Sequence, residues 1–347
     1  MKTTMSGIGE KNFLRTLLPT LQASPNFVNG FGHDASIIDL GLEELLAFKI
    51  DRAPYPVALK QGIGNYKTWG RLAVIANISD LLAVGAKPSA FMLSIVVPGN
   101  FHADNVSAII EGCAEACKDH QISFLGGDTK EGAAPQVVGS ALGTVSKEKY
   151  FGRHTAQCGD YLFIAGTLGG FAGAVALLES NNLEEKIAIS CADKLINPTA
   201  RIKEGAYLRE SLGVVAACDL SDGLSEAISI FCSKEVGISI QETDLPLDPL
   251  ARAAAEKRKV SSWKLAFGVG DWSIACVVRS DDVSSFKAGI NSELALYEIG
   301  QFNDSGHVEI IDRWGKTQKI PDLVNEHFRK RAEDGKDYSD TLIGNSK

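Results

Sequence analysis

No block of basic residues longer than Arg329-Lys330-Arg331 occurs in this 347-residue chain, and its 35 lysines and arginines are outnumbered by 43 acidic side chains. Proteins that bind polyanions carry a basic stripe or patch, so a net charge of −8 without one argues against nucleic acid as the main partner. Small anions would have to be met through metal ions. The sequence also lacks a C-x-x-C pair. Its seven cysteines (Cys113, Cys117, Cys158, Cys191, Cys218, Cys232 and Cys276) are odd in number and scattered, mostly in apolar stretches, which reads as buried reduced thiols of a cytoplasmic protein. Long apolar runs are missing as well. The longest, Leu168 to Leu178, falls short of the roughly 20 residues a membrane span needs, so no membrane partner is expected. Glu10, Lys11 and Arg15 interrupt Met1 to Pro25, which is therefore not expected to act as a signal peptide. None of the six histidines (His33, His102, His120, His154, His307, His327) falls in a metal-ligand spacing, and no Ser/His/Asp triad is evident.

What is present is a chain long enough for about two domains at roughly 150 residues each, able to bury a core without disulfides or metal. Residues 8 to 22 have the apolar spacing of an amphipathic helix, and a turn-rich stretch, Asn29 to Asp34, follows. Ala35 to Ile38 and Leu45 to Ile50 read as a strand pair ending at Asp51. Thr68 to Val84 reads as a helix closed by Gly85, followed by strand Ala90 to Val97 and helix Ala103 to His120. Strand Ser123 to Leu125 runs into Gly126-Gly127-Asp128-Thr129, and Gln136 to Val145 is a further strand. From Tyr150 the alternation starts again: strand Tyr161 to Ala165, helix Phe171 to Glu179, a helix near Ala200 to Ser211, strand Val214 to Asp219 and helix Leu224 to Ser233. Strands Trp272 to Val278, Ala295 to Phe302 and Val308 to Ile311 close the pattern. The expectation is a two-domain α/β protein with mixed sheets, an N-terminal domain over residues 1–152, a C-terminal domain over 153–321, and a polar tail over 322–347 whose end is mobile.

The placement of aspartates is the most informative pattern. Asp34 lies in a glycine-rich turn, Asp51 and Asp128 at strand ends, and Asp219 and Asp222 flank Ser221 in Asp219-Leu220-Ser221-Asp222-Gly223. Any one of these could be a cap or a turn former. Asp80 resists that explanation, because it sits mid-helix in Ala76-Asn77-Ile78-Ser79-Asp80-Leu81-Leu82-Ala83, where an ionised carboxylate needs a cation or several donors. Magnesium meets that need: it binds through a few carboxylates and bridges to phosphate oxygens. Glycine beside the acids permits close approach of the backbone to a phosphate. The stretch Gly166 to Gly173 matches neither G-x-G-x-x-G nor the P-loop pattern, so it is equally a tight turn or a phosphate cradle.

The ordered set Gly30-Phe31-Gly32-His33-Asp34-Ala35, Ala76 to Pro88, Gly126-Gly127-Asp128-Thr129, Gly159-Asp160 with Gly166 to Gly169, and Asp219 to Leu224 resembles the aminoimidazole ribonucleotide synthetase-like superfamily, and within it the thiamine-monophosphate kinase branch. The resemblance implies a homodimer whose N-terminal sheets pair into a barrel, with ATP and magnesium near that interface. It implies magnesium ligands at Asp34, Asp51, Asp80, Asp128, Asp219 and Asp222, nucleotide contacts at Gly127, Asp128, Arg153 and Ser221, and the catalytic work at Asp222 and Asp34. Arg153 also makes independent sense as fixed positive charge for the phosphates, and phosphoryl transfer asks for little beyond charge neutralisation and alignment. His154 beside it reads as a surface residue.

The acceptor half of the family pattern is altered. The family's paired aspartates are His33-Asp34 here, and Lys49 and Ile50 replace a hydroxyl residue before Asp51. Ala58 stands where a substrate-contacting histidine is found, Gly270 in place of a glutamate, and Asn325 near the place of a late aromatic. This pattern implies an ATP-dependent phosphotransferase whose small-molecule acceptor has diverged. Lys49 and Lys60 could meet an anionic acceptor, and Lys49 could alternatively replace one magnesium ion by its own charge. An ATP-dependent ligase or cyclase that phosphorylates an amide or carboxylate oxygen, or a non-catalytic nucleotide-binding protein, are the competing readings.

Overall fold

In the computed structural model the described residues are 4–180 and 182–321. The expectations for the polar tail and for Asn325 fall outside them. The helix expected over 8 to 22 is divided. Gly9, at a left-handed φ of 77°, separates α1 (Met5–Ile8) from α2 (Glu10–Leu17), and Pro19 sits in the 3-10 turn Leu18–Thr20 that ends the second.

The first sheet contains β1 (Ser36–Ile38), β2 (Leu45–Ala53), β3 (Lys87–Val97), β4 (Ser123–Glu131) and β5 (Gln136–Val145) in the order β1-β2-β5-β3-β4. Neighbours are antiparallel except β3 and β4, which are parallel and so require a long crossover. That crossover contains α5 (Ala103–Asp119), while the short α3 (Val57–Lys60) and the long α4 (Lys67–Ala83) connect β2 to β3. The strand expected to stop at Leu125 continues to Glu131, because Gly127 to Glu131 pair with Leu93 to Val97. The sheet is open in the single chain.

Helix α4 is buried on nearly every side, which is why apolar residues surround it instead of forming one stripe. It packs on β2 and β5 on one side and on α5 on another, and the second unit covers what remains. The approach of α4 to α5 is backbone to backbone. A Cβ on Gly70 would lie 1.9 Å from the Ile109 carbonyl oxygen, and one on Gly112 would lie 2.1 Å from that of Lys67. The Cys113 thiol donates to the Gly70 carbonyl at 3.1 Å in the same seam.

The second sheet has seven strands: β6 (Tyr161–Ala165), β7 (Val214–Asp219), β8 (Gly237–Gln241), β9 (Ile274–Val278), β10 (Leu296–Asn303), β11 (Val308–Ile311) and β12 (Thr317–Lys319), ordered β12-β11-β8-β10-β6-β9-β7. Strand β9 begins at Ile274, later than expected, because Trp272 takes a left-handed φ of 50° that ends the extended run. The helices are α6 (Gly170–Leu178), α7 (Glu185–Ile196), α8 (Ile202–Glu210), α9 (Leu224–Phe231), α10 (Pro249–Arg258) and α11 (Val283–Ala288). The two units meet where β7 and α8 lean on α4, with Gly205 set against Leu82. Every acidic group of the site described next stands along that junction or on the first sheet beside it.

Candidate active site

Five separate stretches deliver side chains to the junction. The turn before β1 carries His33 and Asp34. It is shaped by Asn29, whose amide nitrogen donates to the Ala35 carbonyl at 2.9 Å and whose amide oxygen accepts from the Ile37 nitrogen at 2.9 Å. Strand β2 turns Lys49 and Asp51 toward α4, α4 supplies Ser79 and Asp80, the segment after β5 supplies Arg153, and the end of β7 supplies Cys218 and Asp219. Alternation along β2 explains why Lys49 and Asp51 share a face while Ile50 leaves from the other.

Asp34 is buried, and its Oδ1 accepts from Arg153 Nε at 3.1 Å and Nη2 at 2.7 Å. Its Oδ2 is also buried and has no hydrogen-bond partner among the described residues. Asp219 accepts from Ser79 Oγ at 3.2 Å and from Ser221 Oγ at 3.0 Å. Asp80 Oδ2 lies 2.9 Å from Lys49 Nζ, and Asp51 Oδ2 lies 4.0 Å from the same nitrogen. Three buried carboxyls (Asp34, Asp80, Asp219) therefore face two fixed cations (Lys49, Arg153), leaving one negative charge uncompensated.

The titration directions follow from that imbalance. Burial and the nearby Asp34 push the Asp219 carboxyl up to about 7, against the pull of Lys49 and Arg153. Burial and Asp219 also push the Asp80 carboxyl up, and Lys49 draws it back. Burial alone would lower the Lys49 ammonium, but Asp80 and Asp51 outweigh it and keep the group charged, above its ordinary range. For Arg153 burial is likewise outweighed by Asp34, so the guanidinium is held above its ordinary range.

His33 explains its own presence. Its Nδ1 accepts from the Arg153 backbone nitrogen at 3.0 Å, and a Cβ at residue 152 would stand 2.5 Å from that Nδ1, so Gly152 is needed beneath it. Burial, His154 and Arg153 lower its pKa, so the ring is a neutral acceptor that positions Arg153 instead of an acid or a metal-binding anion. His154 packs edge-on against it at 4.9 Å.

The other expected ligands stand elsewhere. Asp51 is on the rim. Asp128 is on the exposed edge strand β4, opposite Ser94 and 3.9 Å from Lys130 Nζ. Gly139 on β5, Leu93 on β3 and Gly127 on β4 pair in a row that starts at Asp51, so Asp128 is about three strand spacings away, roughly 14 Å. Gly127 has a packing reason of its own, since a Cβ there would lie 1.6 Å from the Leu93 carbonyl oxygen. Ser221 and Asp222 follow Asp219 in the loop before α9, and Ser221 donates to Asp219.

The glycine-rich stretch before α6 is closed from within. Asp271 accepts from the Gly169 nitrogen at 2.5 Å and from the Phe171 nitrogen at 2.9 Å, capping the helix that a phosphate could otherwise cap. Ala58 and Gly270, two of the positions expected to have changed acceptor contacts, are closed by packing. Ala58 is buried beside Ala172 and Leu195, and a Cβ on Gly270 would meet the Phe171 ring at 2.9 Å. Sequence reasoning missed Asp271, which is a hundred residues from the helix it caps, and it missed the position of Cys218.

Magnesium fits part of this constellation. A carboxylate oxygen of Asp34, one of Asp219 and Cys218 Sγ lie within 4.8 Å of one another, and the orphaned buried Oδ2 of Asp34 is an atom that a hard cation would satisfy. Burial and Asp34 push the Cys218 thiol up, so it stays protonated and the two carboxylates are the fitting donors.

Residues 32–145 match the family described as AIR synthase related protein, N-terminal domain. A thiamine-monophosphate kinase of Pyrococcus abyssi is 34% identical over 194 residues, which are 55% of this chain and 60% of that protein, so the alignment spans less than two thirds of the relative. A thiamine-monophosphate kinase of Buchnera aphidicola subsp. Acyrthosiphon pisum is 27% identical over 271 residues, 76% of this chain and 80% of that one. The chain is similar to thiamine-monophosphate kinases, and its residues 32–145 carry the AIR synthase related N-terminal domain. The fold agrees: AaThiL, solved in complex with AMPPCP and TMP, superposes with a TM-score of 0.76 at 22% identity, covering 94% of this chain and 99% of that one. Among the described residues no helix is long and apolar enough to cross a membrane.

Proposed function

We propose that this chain is a magnesium- and ATP-dependent phosphotransferase of the cytoplasm, related in chemistry to thiamine-monophosphate kinase and acting on a small-molecule acceptor that has diverged from thiamine phosphate. The observation that carries this reading is the meeting of the buried Asp34 and Asp219, from two distant stretches, where Asp34 keeps a buried carboxylate oxygen that no other described residue satisfies. The names of the relatives support the reaction class.

In this reading Asp34 and Asp219 would hold magnesium, Asp222 and the more distant Asp128 would reach further ions or their waters once nucleotide is present, and Asp51 stays beside Lys49. Magnesium there would neutralise the charge that develops on the transferred phosphoryl group. Arg153, fixed by Asp34 and by the neutral His33, directs its guanidinium toward the phosphates. Gly127, Asp128 and Ser221 contact the nucleotide, and Asp222 aligns the acceptor oxygen as its proton leaves. The packed Ala58 and the filled space at Gly270 support a changed acceptor. The test is incubation of the protein with ATP, magnesium and thiamine monophosphate. We expect magnesium-dependent nucleotide uptake with little or no diphosphate, and ADP formation only when the proper acceptor is added. Robust formation of thiamine diphosphate would defeat the changed acceptor, and absence of magnesium-dependent ATP uptake would defeat the whole reading.

The proposal includes a homodimer joined through the first sheet. Helices α4 and α5 cover one face of it, while Phe48, Ile50 and Met92 project from the other, with Ile50 70% exposed. In the pairing register Ile50 and Met92 flank Ser140 in one row across β2, β5 and β3, so the exposed apolar side chains stand on one face of the sheet. Ile50→Lys should convert a dimer to a monomer in sedimentation equilibrium without loss of helical signal. A wild-type protein that sediments as a monomer would remove this part of the proposal.

A further inference from the structure

Asp80 is one of the buried acids of the site, and the cation beside it belongs to the chain. The Lys49 ammonium lies 2.9 Å from Asp80 Oδ2 and 4.0 Å from Asp51 Oδ2, so it bridges carboxylates supplied by a helix and a strand, as a bound metal ion would. Its side chain is only about one fifth exposed and that of Asp80 is 6% exposed. A magnesium ion bonds to oxygen at about 2.0–2.1 Å, so an ion on Asp80 Oδ2 would press directly against the ammonium, and the two cations cannot share that oxygen. Asp34 contrasts with this arrangement. Arg153 takes only its Oδ1 and leaves the buried Oδ2 open.

We propose that Lys49 is a resident cation occupying the Asp80–Asp51 position of the site, so that the chain binds one divalent ion fewer there than its carboxylates would otherwise take. This rests on the magnesium–nucleotide reading above and deepens it. The site divides into an inner position whose charge is built in and an outer one, at Asp34 and Asp219, that is open to divalent cation. A covalently tethered charge does not depend on the magnesium concentration, so only the outer position responds to it. Lys49 thereby acts as a positioning residue: it holds Asp80 and Asp51 in place without touching the reacting atoms.

The experiment counts ions on the full-length protein by Mn2+ titration without nucleotide, with free Mn2+ read by electron paramagnetic resonance. Lys49→Thr, which removes the charge and leaves a small oxygen donor, should take up one more Mn2+ per chain than the wild type. Lys49→Arg should match the wild type. The melting temperature of Lys49→Thr should rise with added Mn2+ by more than that of the wild type. Equal ion counts for wild type and Lys49→Thr overturn the inference. A second measurement needs no destabilised variant. In 15N spectra of the wild-type lysine ammonium groups, the Lys49 resonance, assigned by its loss in Lys49→Arg, should persist on adding Mg2+, and its merging with the solvent-exposed lysine signals would overturn the inference. Calorimetry with ATP and Mg2+ on the wild type separates the two proposals. Failed nucleotide uptake counts against the phosphotransferase reading, whereas unequal or equal Mn2+ counts decide Lys49 alone.

Discussion

Asp219→Asn is expected to keep the fold and lose the chemistry, with kcat/KM for the phosphoryl transfer falling about 100- to 1,000-fold, roughly 3–4 kcal/mol of transition-state stabilisation. The substitution preserves shape: Ser79 and Ser221 now donate to different carboxylate oxygens at 3.2 and 3.0 Å, so the amide oxygen can still accept from one hydroxyl while the amide nitrogen donates to the oxygen of the other. What it removes is one of the two negative charges next to the open Asp34 Oδ2. A neutral amide oxygen is a poor ligand for a hard divalent cation, so apparent affinity for magnesium–ATP should fall along with turnover. Stability should move the other way. The carboxyl of Asp219 is pushed up to about 7 by burial and by Asp34, which means that its ionised form is disfavoured in the folded protein. Removing that ionisation relieves like-charge repulsion, so calorimetry at pH 8 should show a melting temperature equal to or above that of the wild type. Loss of function with retained stability marks a group kept for chemistry. Turnover near the wild-type level would take Asp219 out of the site.

Much of the site could be anticipated from the sequence because its acids break local rules. Asp80 stands inside an apolar helix, where an ionised carboxylate needs a cation or several donors. The pairing with Lys49 was legible as one of two alternatives, since alternation along a strand puts Lys49 and Asp51 on one face. Other parts had no local signature. His33 accepts from the backbone of Arg153, a bond that leaves no trace in side-chain patterns, and Asp271 caps α6 across a hundred residues. The first sheet followed from clear turn and period signals around β1, β2, β3 and β5. The second was harder: β8 and β12 are short, α7 and α10 lie in polar stretches, and strand order depends on long-range pairing such as β8 with β11. The extension of β4 to Glu131 was missed because two glycines and an aspartate read as a turn, while a parallel neighbour supplies the hydrogen bonds that keep the strand going.

Gly112→Val should be the most damaging single change to the fold, costing about 3 kcal/mol or more, because it inserts a branched side chain into a seam already closed at backbone contact. A Cβ at Gly112 would lie 2.1 Å from the Lys67 carbonyl oxygen and 2.6 Å from its Cα, and neither atom can turn aside as a flexible side chain would. Helices α4 and α5 would have to separate, exposing apolar surface along the buried face of α4 and breaking the Cys113–Gly70 contact. For a domain of this size such a loss corresponds to a fall in melting temperature of roughly 6–12 °C or more. The comparison that isolates the cause is Gly41→Ala. That residue has a left-handed φ of 76° and nothing within 4 Å of its would-be Cβ, so only backbone strain of about 1–2 kcal/mol is added. If both variants melted alike, crowding between α4 and α5 would not be what makes glycine necessary there. The effect should also reach the active site. Ser79 and Asp80 ride on the C-terminal half of α4, so any Gly112→Val protein that folds should show weakened magnesium–ATP uptake even though residue 112 touches none of the site's acids. Stability and chemistry share one helix in this chain, and the close glycine seam that fixes the helix also fixes where its carboxylate stands.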